Sequence, residues 1–246
     1  MERADMIELN RITKKYGGTL AVDDVTLHIP RGEIFGFIGP NGAGKTTTIK
    51  MMGGILVPTS GTIHICGIDM KKEPEAAKQK IGFIPDRPYL YEKLTGLEFL
   101  KFIADLYHVA PDHFEEKARN SLNLFTLADW SNELIESYSH GMKQRLIMAA
   151  ALLHDPEVII VDEPMVGLDP IGIKLVKDVF RRLADNGTTV FLSTHTLQVA
   201  EDLCHRLGII NKGSLIAAGS PRDLKRNFRT THEDLEEIFL RLTGNE

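Results

Sequence analysis

One eight-residue stretch near the start of the chain has the pattern of a phosphate-binding loop. Its sequence, GPNGAGKT, fits G-x-x-x-x-G-K-[ST]. Glycines allow backbone N–H groups to converge on phosphate oxygens, and the lysine can reach the β- and γ-phosphates. The hydroxyl of the last threonine can bind Mg²⁺. The predicted phosphate-binding residues are Gly39, Pro40, Asn41, Gly42, Ala43, Gly44, Lys45, Thr46 and Thr47.

The segments on either side of this loop predict a strand before it and a helix after it. Residues 33–38 form a short apolar run of the buried-strand type, and residues 47–52 can continue as a helix. The amino terminus of such a helix directs its positive dipole end toward bound phosphate. The alternative is a glycine-rich turn that carries a lysine by chance, but this context favours nucleotide binding.

Two acids and a histidine follow further apolar runs and could complete a site for phosphoryl transfer. Asp162 and Glu163 come at the end of the run 157–162, where open α/β sheets present ligands. We predict that Asp162 anchors Mg²⁺ and that Glu163 orients and deprotonates the attacking water, although a solvated acidic turn is a weaker alternative. His195 follows another apolar run. It could hydrogen-bond the γ-phosphate and hold Glu163 in place, whereas in isolation a satisfied strand-end histidine would be the better interpretation.

The other patterns predict a largely parallel α/β frame interrupted by a block of helices from Asp86 to about Leu153. The expected strands lie at residues 7–10, 25–29, 62–66, 81–85 and 189–193, with a hairpin turn at 211–214. The expected helices include residues 97–106, Asp112 to Phe125 with Asp112 as the cap, Ser139 to Leu153, and Pro170 to Asn186. A further helix is expected to begin at Pro221, followed by an apolar stripe at Leu235, Ile238, Phe239 and Leu242.

The composition limits the class of protein. With 246 residues, 43% hydrophobic and 26% charged, the chain fits one soluble domain or two closely packed lobes, and a net charge of -5 gives no reason to expect nucleic acid as a partner. Cys66 and Cys204 are expected to be buried thiols in a reducing compartment rather than a disulfide or a metal site. Residues 1–5 lack a signal-peptide pattern, and the longest apolar run, 146–153, is too short to span a bilayer. We therefore expect a cytoplasmic chain.

Five ordered motifs together resemble the ATP-binding subunit of ATP-binding cassette (ABC) transporters. They are Gly39–Thr46, Ser139–Gln144, Val158–Glu163, Gly167–Asp169 and Thr194–His195. The resemblance covers about Ile7 to Ser220 and implies an α/β fold. This fold is a P-loop NTPase (ABC ATPase) core with an N-terminal antiparallel β subdomain and an inserted α-helical subdomain. The expected lobes are a catalytic core from 1–85 and 154–220, a helical signature subdomain from 86–153, and a C-terminal helical tail from 221–246.

The resemblance also assigns residues to nucleotide contacts. It implies that Tyr16 stacks on adenine with Val22 beside the ring, although an ordinary strand-end tyrosine is the alternative. Residues 139–145 resemble the family signature, usually L-S-G-G-Q-x-Q-R, which contacts ATP held by a second copy. A serine hydroxyl, a glycine N–H and a helix amino terminus suit that contact. The implied signature residues are Ser139, His140, Gly141, Met142 and Gln144, and Asp169 lies in the loop that links the two active sites across the dimer.

The chain departs from the family pattern at two places. His140 and Met142 replace a glycine and a glutamine of the signature, which could weaken the contact with ATP. Asp86 stands where the family usually has a glutamine that touches Mg²⁺ and the attacking water. It could ligate Mg²⁺ through water, or it could be a turn-forming residue of Asp86–Pro88, and the sequence favours neither.

The resemblance finally implies partners. The segment Tyr89, Leu90 and Tyr91 is expected either to receive a short coupling helix from a membrane subunit or to fill the core of the helical lobe. The implied protein is an ATPase that uses ATP and Mg²⁺, dimerises head to tail with a second copy or a homologous cassette, and drives a separate integral membrane permease. Similarity to bacterial exporter-type cassettes implies export and a peripheral place on the inner face of the cell membrane. The alternatives are a soluble ABC ATPase outside transport and a nucleotide-gated binding module with little hydrolysis.

Overall fold

A computed structural model of the chain describes residues 5–87, 89–228 and 235–244. Three parts of the sequence predictions lie outside these residues. They are residues 1–4 of the N-terminal segment, Pro88 of the expected turn, and residues 229–234 and 245–246 of the expected C-terminal tail. The strands are β1 (Asp5–Tyr16), β2 (Thr19–Pro30), β3 (Ile34–Ile38), β4 (Ser60–Ile65), β5 (Ile68–Asp69), β6 (Ile81–Ile84), β7 (Val158–Asp162), β8 (Thr189–Thr194), β9 (Arg206–Asn211) and β10 (Ser214–Gly219). The helices are α1 (Lys45–Met52), α2 (Pro74–Gln79), α3 (Gly96–Leu106), α4 (Pro111–Leu124), α5 (His140–Ala151), α6 (Pro170–Asp185), α7 (Leu197–Leu203), α8 (Pro221–Phe228) and α9 (Leu235–Thr243).

The strands form two sheets of different character. The first is antiparallel, in the order β2-β1-β4-β5, and the second has the order β10-β9-β3-β8-β7-β6. In the second sheet only β10 runs antiparallel to its neighbour. Every residue of β3, β7 and β8 is buried, as expected for parallel strands that are covered on both faces. The predicted fold class, an α/β core with an antiparallel β subdomain and inserted helices, is confirmed.

Local sequence signals explain several of the helix ends. Thr95 and Glu98 form a capping box at α3, and the side chains of Ser139 and Asp169 cap α5 and α6. Gly187, with φ 92°, follows the C-cap of α6 as expected. The prediction that Asp112 caps α4 is wrong, because Pro111 is the first helical residue, Ala110 is the N-cap and Asp112 lies in the first turn.

Three phenylalanines on neighbouring strands of the second sheet pack against one another. The ring of Phe191 on β8 lies 5.8 Å from that of Phe35 and 5.4 Å from that of Phe37, measured between centroids. All three are fully buried in the core beneath the antiparallel sheet. In the tail, Leu235 and Ile238 are buried in the other core cluster, which also contains the helical region, and Phe239 and Leu242 pack against it, so the expected apolar stripe is present.

The expectation of two buried thiols holds for one of the two cysteines. Cys204 is buried but Cys66 is only half-buried, and both are free thiols. Burial raises the pKa of the Cys66 thiol to about 11, so it stays protonated at neutral pH. Within the described residues, every helix is too short or too polar to cross a membrane.

Phe191→Ala should destabilise the fold strongly, because it removes a fully buried ring between two others. We expect a loss of about 3–5 kcal/mol in the free energy of unfolding, measured by urea denaturation. Phe102→Ala, at a residue that is 38% exposed on α3, is the control and should cost less than half as much. Equal losses for the two variants would contradict this account of the core.

Candidate functional site

The phosphate-binding loop lies between the end of β3 and the start of α1. Gly44 is the N-cap of α1 and has φ 111°, a left-handed conformation that favours glycine. A Cβ at Gly44 would lie 2.5 Å from the carbonyl oxygen of Ala21, and one at Gly39 would overlap with that of Ile210. The loop is therefore pressed against β2 and β9 at Gly39 and Gly44, where the backbone contacts leave no space for a side chain. At Gly42 the space around the backbone is open.

Lys45 lies inside this loop. Its Nζ donates hydrogen bonds to the carbonyl oxygens of Gly39 (2.6 Å) and Pro40 (3.2 Å). Burial lowers the pKa of Lys45, while the nearby carboxylates of Glu163 and Asp162 act in the opposite direction and favour the ammonium form. The predicted lysine and the two predicted acids are thus close enough to interact electrostatically.

Asp162 is held by hydroxyl groups on both sides. Thr46 donates from Oγ1 to Oδ2 of Asp162 at 3.0 Å, and the Ser193 hydroxyl donates to Oδ1. Ser193 faces Asp162 because β7 and β8 pair in parallel register at these two residues. This role of Ser193 was not predicted. Its only signal in the sequence is the position of a hydroxyl residue at the end of an apolar strand. The cluster presents oxygen donors, which hard divalent cations prefer.

Glu163 and His195 form a second pair beside Asp162. Nδ1 of His195 lies 2.8 Å from Oε1 of Glu163, and the backbone N–H of Glu163 donates to the carbonyl oxygen of Ser193 at 3.2 Å. Glu163 has φ 51°, a left-handed conformation that is uncommon outside glycine and recurs at functional sites. The His195 side chain is 61% exposed while that of Glu163 is mostly covered. The histidine therefore stands at the open side of the pair.

The expected signature segment begins on the surface and then turns inward. Ser139 and His140 are exposed, and the Ser139 hydroxyl accepts a hydrogen bond from the Met142 N–H at 3.3 Å. Gly141 and Met142 are half-buried. Gln144 is only 1% exposed. It lies five residues after Ser139, which is about 140° around the helix, so it faces the interior, and its contact with the partner's nucleotide stays a prediction.

The remaining nucleotide-contact predictions fall in different surroundings. Tyr16 is largely exposed at the end of β1, with Nζ of Lys14 5.4 Å from its ring centroid. Val22 is fully buried and packs below Gly44. Val22 thus supports the loop from below, and its position beside an adenine ring stays a prediction. Asp86 is exposed, and Asp169 accepts a hydrogen bond from the Gly172 N–H at 2.8 Å.

An aromatic edge follows β6. Tyr89 is 89% exposed and Tyr91 is 60% exposed, whereas Leu90 packs on the core. Tyr91 meets the Phe102 ring edge-on at 5.3 Å. These aromatic residues line a mainly apolar groove of about 200 Å³ that continues between α3 and α5. Both tyrosines thus face outward and the leucine faces the core, and docking of a membrane subunit at this edge stays a prediction.

Comparison with known proteins identifies relatives across almost the whole chain. The family model described as ABC transporter matches residues 22–166. The bacitracin transport ATP-binding protein BcrA of Enterococcus faecalis is 39% identical over 94% of this chain and 75% of its own length. The Nod factor export ATP-binding protein I of Paraburkholderia xenovorans is 38% identical over 89% of this chain and 72% of its own.

Solved structures agree with this assignment. An ATP-binding subunit of an ABC transporter superposes with a TM-score of 0.90, with 33% identity and coverage of 96% of this chain and 99% of the other. A dimeric, post-hydrolysis ATP-binding cassette bound to ADP and Pi gives a TM-score of 0.81, with 27% identity and coverage of 87% and 98%.

Ser193→Ala should destabilise the protein, because it removes a buried donor to a carboxylate that lies in the interior. We expect a loss of about 1–3 kcal/mol in the free energy of unfolding, measured by urea denaturation of the nucleotide-free protein. In an Asp162→Asn background the same substitution should cost less, since the two residues form one hydrogen-bonded unit. The control is Ser137→Ala, at an exposed serine. An equal cost of Ser193→Ala in both backgrounds would contradict the contact.

Proposed function

Because this chain belongs to the ABC transporter family as an ATP-binding subunit, we propose that it hydrolyses ATP at the site around Lys45 and thereby drives a separate membrane permease. The observation that carries this proposal is the convergence of groups from three adjacent strand ends. The phosphate loop follows β3, the acids end β7, and His195 follows β8. Lys45, Asp162, Glu163 and His195 then surround one site, with the acids close to the lysine and the histidine bonded to Glu163.

Each of these groups has a proposed role in phosphoryl transfer. The loop 39–47 holds the phosphates through backbone N–H groups, and Lys45 neutralises the β- and γ-phosphates. Glu163 positions and deprotonates the attacking water, and His195, bonded to Glu163 and open on its other side, holds the base and contacts the γ-phosphate. Tyr16 remains a candidate for stacking on adenine, because its ring is accessible at the end of β1.

Mg²⁺ fits the oxygen donors of the site. Thr46 and Asp162 would hold it, and the described residues contain no cluster of three or more His, Cys, Asp or Glu side chains that could bind a metal alone. Mg²⁺ usually takes one or two protein ligands and completes its shell with phosphates and water. The ion would neutralise charge on the phosphates. Asp86 is exposed. Its contact with Mg²⁺ through water and its role in the turn both stay predictions.

The chain is proposed to act as a head-to-tail dimer with a second copy or a homologous cassette. A start of α5 that is exposed and carries Ser139 and His140 can approach a nucleotide held by the partner. Free N–H groups of a helix amino terminus suit the γ-phosphate. The contact is self-complementary, so a two-fold axis repeats it at both nucleotides. Asp169 lies in the loop proposed to connect the two sites.

The permease is proposed to dock at the aromatic edge. The groove beside Tyr89 and Tyr91 is apolar and exposed, which suits a short amphipathic segment. Docking there would hold the chain at the inner face of the cell membrane. The names of the two relatives, for bacitracin transport and Nod factor export, support transport over the soluble alternative and favour an exporter.

Glu163→Gln should keep ATP binding but stop turnover and arrest the dimer in its closed form, because glutamine preserves shape without accepting the proton. We expect phosphate release to fall at least ~100-fold and ATP-dependent dimers to accumulate in size-exclusion chromatography. Glu116→Gln, at an exposed glutamate of α4, is the matched control. Lys45→Ala should lose nucleotide binding.

Two results would count against the assignment. Wild-type turnover in Glu163→Gln would remove Glu163 from the role of base. Phosphate release by the wild-type protein no faster than by Lys45→Ala would instead support the nucleotide-gated module with little hydrolysis, which His140, Met142 and Asp86 left open.

Tyr91→Ala should weaken the association with the permease, since it removes an exposed ring from the groove and its contact with Phe102. We expect less of the integral membrane partner to co-purify from detergent-solubilised membranes, and thermal stability to change little. Trp130→Ala, at an exposed aromatic residue of the helical region, is the control. Unchanged co-purification of Tyr91→Ala and Tyr89→Ala would place the partner elsewhere.

A further inference from the structure

The ring of His140 packs directly on the backbone of Gly167. A Cβ added to Gly167 would overlap with Cδ2 of His140 and would lie 2.6 Å from Nε2. Gly167 also has φ 77°, so glycine is favoured there for conformation as well as for space. The site roles assigned above do not use this contact, which joins the first residue of α5 to the loop between β7 and α6.

The contact is reinforced by a second residue of the same helical turn. A Cβ at Gly141 would lie 3.4 Å from the carbonyl oxygen of Gly167 and 3.5 Å from Cδ2 of Leu168. The first turn of α5 therefore lies against the loop over two consecutive residues. His140 supplies the side chain that covers the loop from outside.

The loop itself is short and internally hydrogen-bonded. The Val166 N–H donates to the carbonyl oxygen of Glu163, and the Leu168 N–H donates to that of Met165, both at 3.3 Å. Asp169 then caps α6. The two turns and the cap hold the segment from Glu163 to Gly167 in a compact conformation. We therefore expect a displacement of Gly167 to move Glu163, which pairs with His195.

We propose that His140 is a positioning residue, which fixes the loop carrying Glu163 by seating its ring on Gly167 and so couples the start of α5 to the base of the same chain. The proposal rests on the function proposed above, because it concerns the placement of Glu163 for ATP hydrolysis. His140 acts here through Gly167 and the loop, separately from any contact with the partner's nucleotide.

Three variants test the contact. His140→Ala removes the ring and keeps the helical backbone, Gly167→Ala fills the space the ring occupies, and the third variant combines the two. Each single variant should lower kcat roughly fivefold or more, and the combined loss should be no larger than the greater single loss, because both break one contact. For Gly167→Ala, which lies outside the nucleotide contacts assigned above, the KM for ATP should stay within about twofold. His113→Ala, at an exposed histidine in the first turn of α4, is the matched control.

Hydrogen exchange separates this inference from the function it rests on. In the nucleotide-free protein, His140→Ala should speed amide exchange at residues 165–168 while exchange in β7 is unchanged. This measurement does not require turnover. A wild-type protein without ATPase activity would refute the proposed function and leave the exchange result informative. Unchanged exchange in His140→Ala, or kcat losses that multiply in the double variant, would overturn the positioning role.

Discussion

The parallel register of β3, β8 and β7 is the constraint on which the rest of the structure depends. Ile38 pairs with Thr194 and Asp162 pairs with Ser193, so the three strands end at the same edge. The chain leaves that edge three times, as the phosphate loop, as Glu163 and as His195. Groups that are more than a hundred residues apart in sequence meet there because complete burial of the strands strongly specifies their register.

Buried charge at this edge has an electrostatic cost that the neighbouring groups offset. Lys45 and Asp162 are both nearly inaccessible, and a lone charge in such a position would be strongly unfavourable. Asp162 receives two hydroxyl donors, and Lys45 donates to two carbonyl oxygens while two carboxylates favour its charged form. The protein's own groups thus hold both charges in place. Such preorganisation reduces the rearrangement required when a triphosphate binds.

Residues that act through local pattern were predictable, and residues that act through packing were not. The loop 39–46, the strand ending at Asp162 and the start of a helix at Ser139 follow from short stretches of sequence, and the structure has them there. Ser193 was missed because its role depends on the β7–β8 register, which no local pattern specifies. The burial of Val22 and Gln144 was not predicted for a related reason. The resemblance identified the motif positions, but burial depends on which face a strand or helix turns to its neighbours.

The arrangement of exposed and buried groups also bears on the proposed dimer, in which a second copy completes the site. Hydrogen bonds join Thr46, Asp162 and Ser193 in one cluster and Glu163 with His195 in another, and within the described ranges none of them reaches Ser139 or His140. Among the described residues, the first turn of α5 contacts the loop that carries Glu163 at Gly167 and Leu168. A ligand that touched the start of α5 from outside would therefore act on Glu163 by displacing backbone rather than by direct contact. This separation lets a second copy influence catalysis without contributing a base of its own.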